Sequence, residues 1–144
     1  MQEQNYANHR QLVPAYHFVL LGILALTLIG SLVNLYKSLG SHARLYSASL
    51  IVVLVVTSLM IALFCRVFSL KAQDRAIRAE ENLRHYVLTG KLLDPRLGVG
   101  HIVALRFADD QEFAALAARA AQESLSPDAI KRAVQHWRVD TYRV

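Results

Sequence analysis

Six histidines, His9, His17, His42, His85, His101 and His136, are the side chains of this sequence best suited to ligate a metal or to move a proton near neutral pH. Their spacing works against that use, because no two stand as a close ligand pair. His17 sits at the mouth of a long apolar block. It is the one histidine placed to ligate a pigment or haem, or to hydrogen-bond a quinone, although anchoring at a membrane interface is the simpler role. The lone cysteine, Cys65, has no partner for an internal disulfide and no metal-binding neighbours in sequence. "LTGK" at 88–91 ends like a phosphate-binding loop, but the glycines that would cradle the phosphate are missing. No pair of carboxylates marks a cleft. The sequence therefore reads as non-enzymatic, with no catalytic residue, metal site or cofactor.

A second chemistry to weigh is nucleic-acid recognition. "LSPDAIKRAVQHW" at 125–137 reads as a capped helix with Ile130, Val134 and Trp137 inside. Lys131, Gln135 and Arg138 would then line an exposed face, flanked by Arg132 and His136, as in a recognition helix. Charge argues the other way. Residues 98–144 hold six basic side chains (Arg106, Arg119, Lys131, Arg132, Arg138, Arg143) and six acidic ones (Asp109, Asp110, Glu112, Glu123, Asp128, Asp140). Phosphate neutralisation supplies most nonspecific affinity for DNA, and a formally neutral module starts without it. Packing of Ile130, Val134 and Trp137 against Phe113 and Leu116 is the better role for this segment, and these five form the expected core of the tail.

The elements that must position these residues follow from hydropathy. Of 144 residues, 54% are hydrophobic, and two charge-free blocks at 18–33 and 48–65 hold much of that content. Helices over 16–36 and 47–67 would each cross a ~30 Å hydrocarbon core at ~1.5 Å per residue. So few other residues could not wrap two uncharged helices in a soluble core. The small-x-small run Ser41, His42, Ala43 resembles a signal-peptidase site, but the apolar stretch before it is too long for a signal core, and the span is expected to be retained. Six Lys and Arg flank the outer ends of the two spans (Arg10, Arg66, Lys71, Arg75, Arg78, Arg84), against Lys37 and Arg44 between them. The imbalance predicts both termini in the cytoplasm and a short external loop at 37–46. The net charge of +5 lies wholly before the neutral tail, where anionic lipid headgroups would meet it.

Within this frame the sequence predicts an all-α protein. A polar arm covers 1–15, and Pro14 marks the start of the first span. Thr27, Gly30, Ser31 and Asn34 recur at three- and four-residue steps, a small polar face suited to packing the spans together, with Thr57 and Ser58 opposite, or to docking onto another membrane subunit. The second span runs on into a cytoplasmic extension, 68–90, as one helix about 65 Å long from near Arg44 to Thr89. Along it Ala72, Ala76, Ala79, Leu83 and Tyr86 step by four and three, a coiled-coil-like seam that suits either a partner or self-association surface or a simple solvated stalk. Asp74 to Arg78 and Glu80 to Arg84 have the favourable order for ion pairs within a helix. Thr89 and Gly90 end the helix. A helical module fills 91–144, with caps expected at Asp109 and Ser126.

"QNYANH", "PAYHF", "YVLTGK", "ALRFADDQEF" and "LSPDAIKRAVQHWRVDTYRV" together resemble a family of small bacterial two-span membrane proteins known as a domain of unknown function. The likeness spans nearly the whole chain. It implies bacterial origin, two spans and a cytoplasmic helical tail, and it brings no activity or catalytic residues. The combined expectation is a protein of the bacterial inner membrane that makes helix-mediated contacts with other membrane subunits or with itself, as an accessory or scaffolding subunit. A membrane-tethered regulator whose tail binds a soluble protein or, behind that, DNA is the alternative. A cofactor- or pigment-associated subunit using His17 ranks third.

Overall fold

The computed structural model describes residues 4–9 and 12–140. Arg10 and Arg143, which enter the charge counts, lie outside the described residues, as do the outermost residues of the polar arm. The fold is all-α. A π-helical segment, Ala15–Leu20, leads into α1 (Leu21–Ser38), followed by α2 (His42–Thr89), α3 (Val99–Leu105), α4 (Asp110–Gln122) and α5 (Pro127–Ala133). Two helical stretches, Ala15–Ser38 and His42–Thr89, are long and apolar enough to cross a membrane. The chain divides into two compact units: Leu12–Ser69, and Met1–Gln11 together with Leu70–Val144.

The first unit is a helical hairpin. Pro14 caps its start, where its missing N–H costs no hydrogen bond. The link between α1 and α2 spans only residues 39–41, shorter than the loop predicted at 37–46, because His42 already begins α2. On α1, Leu21, Leu24, Leu28 and Leu35 are half-buried and Ser31 and Ser38 buried. On α2, Leu45, Val52 and Leu59 are half-buried and Ala48, Val55 and Ala62 buried. Both series step by three and four, the repeat that keeps one face of a helix turned toward a neighbour. The buried positions are small, which lets backbones approach closely. The Tyr16 hydroxyl donates to the carbonyl of Ala62 at 2.8 Å.

This packing corrects the expected face. Of Thr27, Gly30, Ser31 and Asn34, only Ser31 is buried; the other three are exposed, as is Thr57. The reason is local satisfaction. Thr27 donates to Ile23 O, Ser31 to Leu28 O and Ser58 to Leu54 O, each at 2.8 Å within its own helix. With these hydroxyls donating within their own helices, leucines at heptad spacing line the seam. The outward residues, among them Ile23, Leu26, Ile29, Leu54 and Ile61, are exposed and uncharged.

The second unit is built on the later turns of α2. Gly90 ends that helix in the left-handed region, φ 73°, which a residue with a Cβ enters only at a cost. Asn82 accepts from the Leu93 N–H and His85 donates to the Lys91 carbonyl, folding the chain back along the helix. Leu93, Leu97, Ile102, Leu105, Phe113, Leu116, Ile130 and Val134 form a buried core, with Ala104, Ala117 and Ala120 at the close approaches. Asp109 caps α4 by accepting from Gln111 and Glu112 N–H groups. Ser126 caps α5 by accepting from Ala129, with Pro127 at its first position.

The final helix is shorter than the sequence suggests. It ends at Ala133, and Val134 turns to extended backbone. The Glu112 carboxylate accepts from the N–H groups of both Gln135 and His136. The following residues pair with the turn before α4: Arg138 N–H donates to Phe107 O and Asp109 N–H to His136 O, the frame of a single bridge between Ala108 and Trp137. Trp137 is thus off the helix and half-buried, whereas Phe113, Leu116, Ile130 and Val134 are fully within the core. Lys131, Gln135 and Arg138 do not share a helical face.

Candidate interaction site around helix α2

The later part of α2 carries two faces with different chemistry. One packs against its own unit around Glu81, whose carboxylate is almost wholly buried. A buried carboxylate demands compensation. Arg84 supplies it at 3.0 Å and Arg138 approaches at 3.8 Å. Arg84 is fixed in turn by Asp110 at 2.6 Å, by the Ala108 carbonyl at 2.8 Å, and by the Phe113 ring 4.2 Å beneath its guanidinium. The expected pairing of Arg84 with Glu80 gives way to Glu81, three residues back, because that carboxylate points into the same fold as Asp110. Beside this cluster Arg106 pairs with Asp140 at 2.8 Å. Gln73, Ile77, Glu80, Arg106, Arg138 and Asp140 line a cleft of about 330 Å³. Arg106 pairs with Asp140 and Arg138 with Glu81 along it, and its lining sets no nucleophile beside a base.

The N-terminal arm docks on the same unit. The Tyr6 hydroxyl donates to Asp128 at 2.6 Å, and Gln4 accepts from the Asp140 N–H at 2.8 Å. His9 stands against the rings of Tyr6, Phe107 and Trp137 and 3.3 Å from the Lys131 amine. The bond from Tyr6, and then the charge of Arg132, hold the Asp128 carboxyl below the usual carboxylate range. On the surface loop after α2, hydrogen bonds from the Arg96 side chain and backbone bring Asp94 down to about 2.

The opposite face of α2 is bare. Ala72, Ala76, Ala79, Leu83 and Tyr86 are all exposed, as is Val87 beside them, and Ala76 also borders the cleft. The seam read from the sequence is therefore not used by the unit's own core.

The histidines disperse into separate local roles. His17 bonds the backbone of Val13, His85 bonds Lys91 O, and His101 accepts from the Gly98 N–H. Among the described residues, no three His, Cys, Asp or Glu side chains gather where a metal ion could be held. Sequence reasoning missed the Glu81 cluster and the docked arm. The first had a signal, the three-residue step from Glu81 to Arg84, overshadowed by Glu80 one residue earlier. The second had none, since its contacts join opposite ends of the chain.

All of residues 1–144 match a single family of unknown function. The chain belongs to the DUF6526 family. No curated protein and no solved structure matches it. For this DUF6526 member the chemistry must be read from its own surfaces: matched charges inside, and an apolar helix face left open.

Proposed function

We propose that this DUF6526 member is a non-enzymatic protein of the bacterial inner membrane that acts through helix-mediated protein contacts, as an accessory or scaffolding subunit of a larger membrane assembly. The two spans enter the bilayer as a hairpin with both termini cytoplasmic. The exposed apolar surface of the hairpin supports insertion, since aliphatic side chains in such numbers are stable only in lipid or against other protein. The Lys and Arg imbalance supports the orientation, and anionic headgroups at the cytoplasmic face would meet the basic residues from Arg66 to Arg84. The docked arm independently supports a hairpin with both termini on one side of the bilayer. The described arm and the chain from Leu70 onward belong to one unit, which a hairpin excursion fits and a single crossing does not.

The contact role rests on one observation: the seam from Ala72 to Tyr86 is exposed on a helix whose other face is already packed. Alanines there permit close approach, and Leu83 and Tyr86 offer apolar area to whatever covers them. The test is Ala76→Leu, which adds bulk without lowering helix propensity. The protein is extracted in mild detergent and its assembly size read on native gels. A smaller assembly at normal abundance supports the reading. An unchanged assembly would make the extension a solvated stalk.

A further inference from the structure

From the same face, and resting on the reading just given, we infer that the partner helix is α2 of a second copy of this chain, arranged parallel. The phase of the seam assigns heptad positions. Ala76 and Leu83 fall at a, and Ala72, Ala79 and Tyr86 at d. The flanking positions then follow: Arg75 at g and Glu80 at e. In a parallel pair each g residue faces the e residue five positions on in the other strand. Arg75 of one copy therefore meets Glu80 of the other, twice by symmetry.

Both side chains are exposed, and among the described residues neither makes an ion pair within its own chain. The seam's larger side chains are equally unoccupied: Leu83 is 63% exposed, Tyr86 54% and the neighbouring Val87 75%. Ile77, Glu81 and Arg84, the residues the unit itself covers, lie roughly 120–180° around the helix from the seam at 100° per residue. Ala76 and Glu80 also border the cleft against the module, so a second helix reaches the seam from the side of Ala72, Ala79, Leu83 and Tyr86. An antiparallel pair would not bring g to e in this way. Two copies inserted with one topology are parallel by construction.

The seam is only two heptads long, which is marginal for a dimer free in solution. Membrane attachment changes that balance, because confinement to a surface in one orientation raises the effective concentration of the second helix. Alanine at three of the five positions brings the helices close, so the flanking charges sit near each other. A foreign partner would need no such internal match between Arg75 and Glu80; a self-pair does.

The test is disulfide crosslinking of the full chain in membranes, in a Cys65→Ser background. Single cysteines are placed at a (Leu83→Cys and Ala76→Cys) and, as a control on an exposed site away from the seam, at Arg78→Cys. A parallel dimer crosslinks at both a positions and not at the control. Arg75→Glu, carried with Leu83→Cys, should weaken association about tenfold at low salt, since two attractive pairs become two repulsive ones. Glu80→Arg should do the same, and the two together should restore it. Equal crosslinking at Arg78→Cys, no crosslinking at either a position, or failure of the double reversal to restore it would each overturn the self-pairing. If crosslinking fails while Ala76→Leu still shrinks the native assembly, the face serves a different protein: the self-pairing falls and the contact function stands.

Discussion

Arg84→Leu should be among the most damaging single changes in the second unit, although Arg84 is a charged residue outside the apolar core cluster. The side chain is 11% exposed and its partner Glu81 7%. Removing it leaves a carboxylate out of water with Arg138 approaching no nearer than 3.8 Å. Breaking a buried pair on one side typically costs ~3–5 kcal/mol. Loss of the contact over Phe113 adds about 1 kcal/mol, whereas Asp110, 69% exposed, contributes ~0–1 kcal/mol. Arg138 offsets part of the total, so a net loss of about 3–4 kcal/mol is expected, a large share of the ~5–15 kcal/mol that holds a domain folded. Glu81→Leu with Arg84→Leu removes both charges and leaves an apolar pair in their place, so it should cost far less than Arg84→Leu alone, about 0–2 kcal/mol. Pulse proteolysis of the full chain in detergent across a urea series, following the protected C-terminal fragment, reads both values. A single variant that loses under ~1 kcal/mol, or a double variant as damaged as the single, would refute the idea that Glu81 depends on Arg84.

Two further outcomes follow from the same unit. Trp137→Ala should destabilise it by about 2–3 kcal/mol, less than Phe113→Ala at ~3–5 kcal/mol, because Trp137 is half-buried against Phe107 and His9 while Phe113 is fully enclosed; urea midpoints of the two variants give the order. The Asp94 carboxyl should titrate near 2 in side-chain NMR, below the usual aspartate value, and Arg96→Gln should raise it. Its folded value is depressed, so any stability it lends is present above the unfolded aspartate range and is lost as pH falls through the folded value. The window is therefore roughly pH 4 down to 2.

Much of the fold was legible because its signals are local. Charge-free runs marked two helices, Asp109 and Ser126 marked two caps, and Gly90 marked a helix end, each set by a few neighbouring residues. The end of α5 was not legible. Ile130, Val134 and Trp137 keep perfect helical spacing, yet the Glu112 carboxylate, 23 residues upstream of Gln135, takes the N–H groups that would have continued the helix. The span seam failed for the opposite reason. Thr27 looked like glue between helices, but its hydroxyl bonds its own backbone, and leucines at heptad spacing line the seam instead. The docking of Tyr6 and His9 joins the chain's two ends, a contact that no short-range pattern encodes. The exposed α2 seam was legible as a period, while its flanking Arg75 and Glu80 gained meaning only once the module was seen to occupy the other side of the helix.

The most direct measurement is membrane sidedness. In a Cys65→Ser background, single cysteines at Ser41→Cys, in the link between α1 and α2, and at Gln122→Cys, at the end of α4, are exposed to a membrane-impermeant thiol reagent on intact cells. A hairpin with both termini cytoplasmic predicts modification at Ser41→Cys alone, with Gln122→Cys reacting only after the cells are opened. Modification at Gln122→Cys and not at Ser41→Cys in intact cells, or at both, would contradict it.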